Sequence, residues 1–322
     1  MNTADISVIY QDASLLILNK PAGIVIHPTY KHVDGDTLWD ALLLYLEGQD
    51  PEVWQSPILP DDPKWEGAPE TVKVMLREKR DVFLQKNQGI LPRPCLLHRL
   101  DKDTSGVVAL ARNQSARRHI VKQFEAHTIQ KRYLALVQCL APIWAAPRAD
   151  LTFIRKHRDG TIEAVDSSFL LALPPTDELL IDGPLQRDPD ERRRCIVGRD
   201  GQQAQTSVRV IGREQNYLLL EVHPITGRTH QIRGHLTSAG YSLVGDQVYA
   251  PTPVSGSPVS ALSRQFLHAA SLTLRTYPEN KLRTFVAPLA PDLLEWLKRY
   301  TPGLWAIVQQ MPGQQIPVIY ER

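Results

Sequence analysis

Short apolar runs at Ile6–Tyr10 and Leu15–Asn19, around the turn Gln11-Asp12-Ala13-Ser14, predict two strands. A helical spacing follows: Thr37 precedes Leu38, Trp39, Leu42, Leu43 and Leu46, the pattern of a capped helix. Residues 48–71 lose that order and read as an exposed excursion, rich in acids and in proline (Pro51, Pro57, Pro60, Pro63, Pro69). Val72–Phe83 fits a short helix, Val107–Ala111 a buried strand and Gln114–Ala126 a basic helix. Arg132–Val137, Leu151–Ile154, Ser168–Leu173, Thr206–Ile211 and Tyr217–Val222 predict further strands. A helix is expected from near Thr229 to Gly240, a residue suited to a left-handed cap. Leu267–Leu274 and Arg283–Val286 add strands, and Pro291–Arg299 opens as a helix with proline in its first turn. The tail from Thr301 receives no assignment. Many strands with scattered helices, in no regular strand–helix–strand alternation, predict an α+β fold.

Composition narrows the class. The chain has 322 residues, 43% apolar and 22% charged, which is enough for a large core. No apolar run approaches the ~20 residues of a membrane span. The N-terminus lacks a cationic stretch before an apolar one, so no secretory signal is expected. Three widely spaced cysteines (Cys95, Cys139, Cys195) exclude a disulfide framework and suit a reducing, cytoplasmic setting.

The formal net charge of +2 conceals an asymmetry. Residues 34–70 carry ten acids and one base, Lys64, leaving 36 Lys and Arg against 25 Asp and Glu elsewhere. Arg112, Arg117, Arg118 and Lys122 mark the basic helix as a surface for phosphates. A solvated helix face explains the same run, so charge alone decides nothing.

Two segments concentrate chemistry. His98-Arg99-Leu100-Asp101-Lys102-Asp103-Thr104-Ser105-Gly106 packs polar side chains into a loop just before the apolar Val107–Leu110. As an ordinary loop it is a solvated turn, and spacing leaves both readings open. The second is His223-Pro224-Ile225-Thr226-Gly227-Arg228-Thr229-His230-Gln231-Ile232-Arg233-Gly234-His235. With a helix starting near Thr229, Gly227-Arg228-Thr229 sets free amides and a guanidinium at its N-terminus, a seat for phosphate. His230 and His235 are splayed by their spacing of five and have no Cys or carboxylate nearby, so no metal site is assigned.

Together these segments resemble the RluA-type pseudouridine synthase family, over about residues 6–290. Leu18-Asn19-Lys20-Pro21-Ala22-Gly23 through His27-Pro28 is similar to its first motif, His98–Gly106 to its catalytic H-R-L-D-x-x-T-S-G, and Lys131–Ala135 to its K-x-Y-x-A strand. Thr226–Arg233 is similar to its T-G-R-[ST]-H-Q-[IL]-R, and Leu267-His268-Ala269 to a later element. The resemblance implies isomerisation of uridine in RNA to pseudouridine, with no cofactor or metal. It implies Asp101 as the catalytic aspartate, Tyr133 as the conserved tyrosine and Arg233 as its basic partner. Arg99 stands where relatives have an arginine that moves as the base is flipped. Around them, His98, Lys20, Thr104, Arg228, Thr229, His230 and Gln231 are expected to bind substrate, with Lys20 on phosphate or supporting the sheet. His268 is expected to be structural.

The chemistry supports those roles. Breaking a glycosidic bond builds positive charge on the sugar, which a carboxylate traps or stabilises. The same carboxylate acting instead as a base on the sugar gives a glycal, and both routes stay open. Arg233 paired with Asp101 would keep the acid ionised and in place. A tyrosine face under a flipped base offsets part of the cost of unstacking it, and the phenol is a candidate to help remove the C5 proton.

The expected architecture is a bent, mixed but mostly antiparallel sheet flanked by helices, with a central cleft and Asp101 at its floor. Residues 1–300 form the catalytic domain, with an acidic Pro-rich insert at about 48–92, and 301–322 form an extension of unknown role. The early first motif implies that the small N-terminal RNA-binding domain of many relatives is missing. Gly240-Tyr241-Ser242 and Gly234 depart from the family pattern, which often has Gly-His-Pro and Val there. The partners expected are ribosomal RNA, transfer RNA or both, with the protein a monomer off the membrane. Two competitors remain: an inactive RNA-binding protein of the same fold, and a glycoside hydrolase using Asp101 and Asp103 as its carboxylate pair. The second leaves Arg233 and the basic body unexplained.

Overall fold

The computed structural model describes residues 7–26, 37–38, 41–42, 74, 95–139, 150–250, 256–314 and 318–321. Most of the expected helix at 38–46, that at Val72–Phe83, the acidic segment and His27-Pro28 lie outside these residues. Where described, Leu38, Ala41 and Leu42 are buried, and Leu38 and Leu42 pack with Leu16, Leu18 and Val108.

The strands in chain order are β1 (Ser7–Gln11), β2 (Leu15–Lys20), β3 (Cys95–Leu96), β4 (Ser105–Ala111) and β5 (Gln130–Cys139), with helix α1 (Gln114–Glu125) between the last two. Then come β6 (Thr152–Lys156), β7 (Ile162–Val165), the single-turn helix α2 (Phe169–Ala172), β8 (Glu178–Asp182), β9 (Leu185–Arg187), β10 (Cys195–Val197), β11 (Gln205–Glu214) and β12 (Tyr217–Pro224). Helix α3 (Gln231–Ser238), β13 (Tyr241–Leu243), β14 (Leu267–Arg275), β15 (Leu282–Val286), α4 (Pro291–Tyr300), α5 (Pro302–Gln309) and β16 (Val318–Glu321) complete the order.

One sheet runs β1-β2-β4-β14-β5-β12-β11-β8-β6-β7, with β13 on β5, β3 on β4, β15 on β14 and β16 on β15. Its named pairings are antiparallel except β4 with β14. The fold is therefore α+β with a mixed, mostly antiparallel sheet. The hairpin β9–β10 stands apart from it and packs on α3.

Alternation along β5 sorts the two faces of the sheet. Ala135 and Val137 join the cluster formed with β8, β11, β12 and α3, while Tyr133 packs at its edge. Leu134 and Leu136 point the other way, into a second cluster with Leu293, Trp296, Leu297, Leu304 and Val308 of α4 and α5. The segment after Thr301, unassigned from sequence, thus packs α5 into this second cluster and pairs β16 with β15. Each fully buried Leu or Val there stabilises by about 1.5–3 kcal/mol. On the same face as Arg132, the buried Glu221 binds His223, Arg132 and Arg209. The His223 hydrogen bond together with the two guanidinium groups holds its carboxyl well below the usual range against the effect of burial.

Several expected elements differ. Ser168–Leu173 is not a strand: the Asp166 carboxylate accepts the Ser168 amide at 2.8 Å and turns the chain into α2, burying Leu170 and Leu173 on one side. Strands β7 to β10, three to five residues long, have no counterpart in the sequence reading. Helix α3 begins at Gln231 rather than near Thr229, since His230 sits in the left-handed region at φ 52°. Its end is as expected, with Gly240 at φ 91°. Arg112 is not at the surface: it is fully buried, its guanidinium donating to the Asp12 carbonyl at 2.5 Å. Asn113 caps α1 by accepting the Ala116 amide at 2.8 Å.

The parallel junction sets where the functional loop ends. Ser105 lies beside His268 and Gly106 beside Ala269. Gly106 has φ 115°, and a Cβ there would stand 2.2 Å from the Ala269 carbonyl oxygen. Only glycine meets both demands. Gly106→Ala is expected to lower unfolding stability by about 3 kcal/mol or more, measured by denaturant titration.

Candidate functional site

A cleft of about 440 Å³ opens over β14, β5 and β12, between the loop before β4, the end of α1 and the β12–α3 loop. That volume lies in the ~300–1,000 Å³ range of small-molecule sites. Asp101, Tyr133, Arg233, His98, Arg99, Thr104, Arg228, Thr229, His230 and Gln231 all border it. Lys20 does not.

Three side chains fix the loop that carries Asp101. Lys20 is fully buried and its ammonium donates to the carbonyls of Pro21, Ile24 and Lys102 at 2.8, 2.9 and 2.8 Å. Burial pushes its pKa down to about 7, yet three carbonyl acceptors use all three hydrogens of the charged form. Lys20 therefore ties the first motif to the loop: of its two expected roles, phosphate contact or support, it takes the supporting one, and its place among the expected substrate-binding residues is corrected. Arg264 donates to the Asp103 carbonyl at 3.1 Å while paired with Asp292 at 2.6 and 2.8 Å. Gln265 donates to the Thr104 hydroxyl at 3.2 Å. Thr104 in turn donates its amide to the Asp101 carbonyl at 3.1 Å, closing the turn.

His98 accepts the Ala109 amide on Nε2 at 3.1 Å, so that nitrogen is unprotonated. Burial and then Lys131 push its pKa down to about 4, in agreement. Its ring walls the cleft while its nitrogen anchors β4. Gln231 is similarly committed. Its oxygen accepts the Thr226 hydroxyl at 2.7 Å and the Arg228 amide at 2.9 Å, and its nitrogen donates to Gln205 and Thr206. The Arg228 amide is thereby taken, and with α3 starting at Gln231 residues 227–229 do not form the helix N-terminus expected there. The exposed Arg228 side chain, braced on the Gln203 carbonyl at 3.0 Å, still offers charge at the rim. Arg99 and Thr229 are exposed there too.

The centre is a shared guanidinium. Arg233 grips Asp246 in a bidentate pair at 2.8 and 2.9 Å and donates its remaining terminal nitrogen to Asp101 at 3.3 Å. The Asp246 side chain is fully buried and also accepts the amides of Val248 and Tyr249 at 2.9 and 3.0 Å. Asp101 keeps 26% of its side-chain surface open to the cleft. One cation between two carboxylates leaves an excess negative charge, suited to positive charge developing on a sugar carbon.

Tyr133 projects from β5 on the cleft side, and burial together with Asp101 raises its pKa far above the ordinary phenol value. Two positions along, Lys131 donates to the Thr226 carbonyl at 2.7 Å, and burial lowers its pKa to about 8. Tyr249 packs its ring 4.8 Å from the Arg233 guanidinium. Asp246 and Tyr249 were not expected, although Gly245-Asp246 directly after an apolar run was a visible signal. His268 accepts or donates at Ser105 Oγ, 2.9 Å away, and is fully buried, as a structural residue would be. Among the described residues, no group of three or more His, Cys, Asp or Glu is placed to hold a metal ion.

Comparison with known proteins now fixes the class. Residues 14–238 match the RNA pseudouridylate synthase family, and the chain belongs to that family, within its RluA type. It is 35% identical over 275 residues to an uncharacterized RNA pseudouridine synthase of Chloroflexus aurantiacus, covering 85% of this chain and 63% of that one. It is 29% identical over 296 residues to the ribosomal large subunit pseudouridine synthase D of Nitrosomonas europaea, covering 91% and 64%. The chain thus spans less than two thirds of the length of these two relatives. The structure of human RNA pseudouridylate synthase domain containing 4 superposes with a TM-score of 0.53 at 20% identity, covering 91% of this chain and 92% of that one. This likeness shows the shared fold.

Asp246→Asn is expected to cost about 3–5 kcal/mol of stability by leaving Arg233 short of a buried counter-ion. Urea unfolding checks this.

Proposed function

We propose that the protein isomerises uridines in structured RNA to pseudouridine, with large-subunit ribosomal RNA, transfer RNA or both as substrate. The observation that carries the reading is Asp101, open to the cleft opposite Tyr133 and held by an Arg233 that is itself locked to Asp246. Membership of the family and the printed names of the relatives support it.

In this reading a flipped uridine enters the cleft with its base against Tyr133. Stacking offsets roughly 1–3 kcal/mol of the cost of unstacking. Asp101 faces C1′, either bonding to it or removing a sugar proton as the N1–C1′ bond breaks, and the freed base turns to present C5. Arg233 holds the carboxylate in both routes. Arg99, Arg228 and the exposed Arg117 and Lys122 of α1 meet the RNA backbone, whose end of α1 reaches the cleft through Phe124 and Glu125. No cofactor or metal takes part, and the protein works as a cytoplasmic monomer; no described helix is long and apolar enough to cross a membrane.

The alternative, an inactive RNA-binding protein of this fold, has no use for an Asp101 kept open and charge-paired. Tritium release from RNA labelled at uridine C5, with ribosomal and transfer RNAs assayed separately, distinguishes the two. Wild-type protein is expected to release tritium, and Asp101→Asn to release it about 10³-fold more slowly or not at all. RNA binding without release supports the inactive binder. Tyr133→Phe is expected to stay within about tenfold of wild type, because the stacking energy resides in the ring. Loss on the scale of Asp101→Asn assigns chemistry to the phenol instead.

A further inference from the structure

His230 lies in the cleft with an orientation that substrate binding alone does not require. Its backbone is left-handed, φ 52° and ψ 24°, a conformation that costs a non-glycine residue energy and that collects at functional sites. The turn aims the ring inward, so that Nε2 stands 3.8 Å from the Asp101 carboxylate and Nδ1 3.1 Å from the Tyr249 hydroxyl.

The Tyr249 hydroxyl decides which nitrogen carries hydrogen. It accepts the Cys195 amide at 2.6 Å, and its only proton has two acceptors within 3.1 Å, the Cys195 carbonyl and Nδ1; donation to the carbonyl is the choice that leaves neither Cys195 backbone group unpaired. Its second lone pair then faces Nδ1, and this contact is a hydrogen bond only if Nδ1 is the donor. The arrangement pairs both Cys195 backbone groups, the Tyr249 hydroxyl and Nδ1. It leaves Nε2 unprotonated and pointing into the cleft, where the 3.8 Å gap to Asp101 is too long for a hydrogen bond. The hydroxyl is itself held firmly: Gly234 lets β10 sit against α3, and a Cβ there would stand 2.8 Å from the Cys195 carbonyl oxygen.

We propose that His230 Nε2 is the base that removes the C5 proton in the final step, an assignment that rests on the function proposed above. Once C5 has bonded to C1′, C5 is tetrahedral and still carries its hydrogen, and the ring holds a C6=N1 double bond. Nε2 takes that proton. The C5–H electron pair becomes the C5=C6 bond, the C6=N1 pair moves onto N1, and N1 takes a proton from water. The imidazolium then returns its proton to solvent, so one proton leaves C5 and one arrives at N1. Asp101 stabilises the transient imidazolium.

The surroundings favour this choice. Burial, with Arg233 and Arg187, lowers the His230 pKa against the pull of Asp101 and Asp246, which favours the neutral imidazole beside Tyr249. The competing base, Tyr133, is held protonated by burial and by Asp101.

The test uses full-length protein and transcripts of large-subunit ribosomal and transfer RNA carrying either ordinary or 5-deuterated uridine, with pseudouridine formation as readout. His230→Gly removes the base while glycine takes the left-handed backbone without strain, and His230→Asn repeats the test with a residue that tolerates it. Both variants are expected to form product about 10²–10⁴-fold more slowly. They should also show a primary isotope effect larger than that of wild type, and His230→Gly should recover with added imidazole. Tyr249→Phe is expected to lose less activity and to show an isotope effect in the same direction. Variants that work at near the wild-type rate, or that are slow with no isotope effect and no imidazole rescue, overturn the assignment. Wild-type protein that makes no pseudouridine from either RNA overturns the function itself, a result distinct from failure of the base.

Discussion

Arg233 must hold two carboxylates with one guanidinium. Placing Asp246 out of water costs several kcal/mol, and the site offsets this with a bidentate pair and two backbone amides. That investment fixes the plane of Arg233, and with it the direction of the single N–H left for Asp101. The Asp101 carboxylate is therefore positioned by a buried, rigid neighbour and not by its own packing. This lets it remain open to the cleft.

The remainder of the architecture brings the two halves of that arrangement together. Asp101 comes from a loop before β4, Arg233 from α3, and the strands between them, β14, β5 and β12, form the floor. The loop hangs from Lys20 and Arg264, both buried, and ends at Gly106, where the chain must pass close to β14. On the far side, β9–β10 leans on α3 and holds Tyr249 through the Cys195 backbone. Basic side chains with buried stems or ends thus do two different jobs here, since Lys20 and Arg112 stabilise the interior while Arg99 and Arg228 face solvent.

Much of this was legible from sequence. Long apolar strands such as β4, β5, β12 and β14 were found because their patterns are strong, and the two dense polar segments pointed to one cleft. The short strands β7 to β10 were not read from their pattern, and Ser168–Leu173 misled because an Asp166 side chain, not the apolar run, sets its turn. The helix start was displaced by two residues because His230 adopts a backbone no propensity predicts. Among site residues, sequence named the groups that line the cleft but not how each spends its hydrogen bonds. Lys20 and Gln231 were expected to bind substrate, but Lys20 spends its hydrogens on carbonyls and Gln231 its amide on the turn before α3 and on β11. Asp246 was missed because its pairing with Arg233 is a contact thirteen residues away.

The most direct test is a crystal structure with an RNA stem-loop carrying 5-fluorouridine, in which fluorine replaces the hydrogen that must leave C5. The account predicts a flipped base stacked on Tyr133, its sugar C1′ beside Asp101, and Arg233 still bridging Asp101 and Asp246. A base bound outside this cleft, or an Arg233 that abandons Asp246 when RNA is bound, would contradict it.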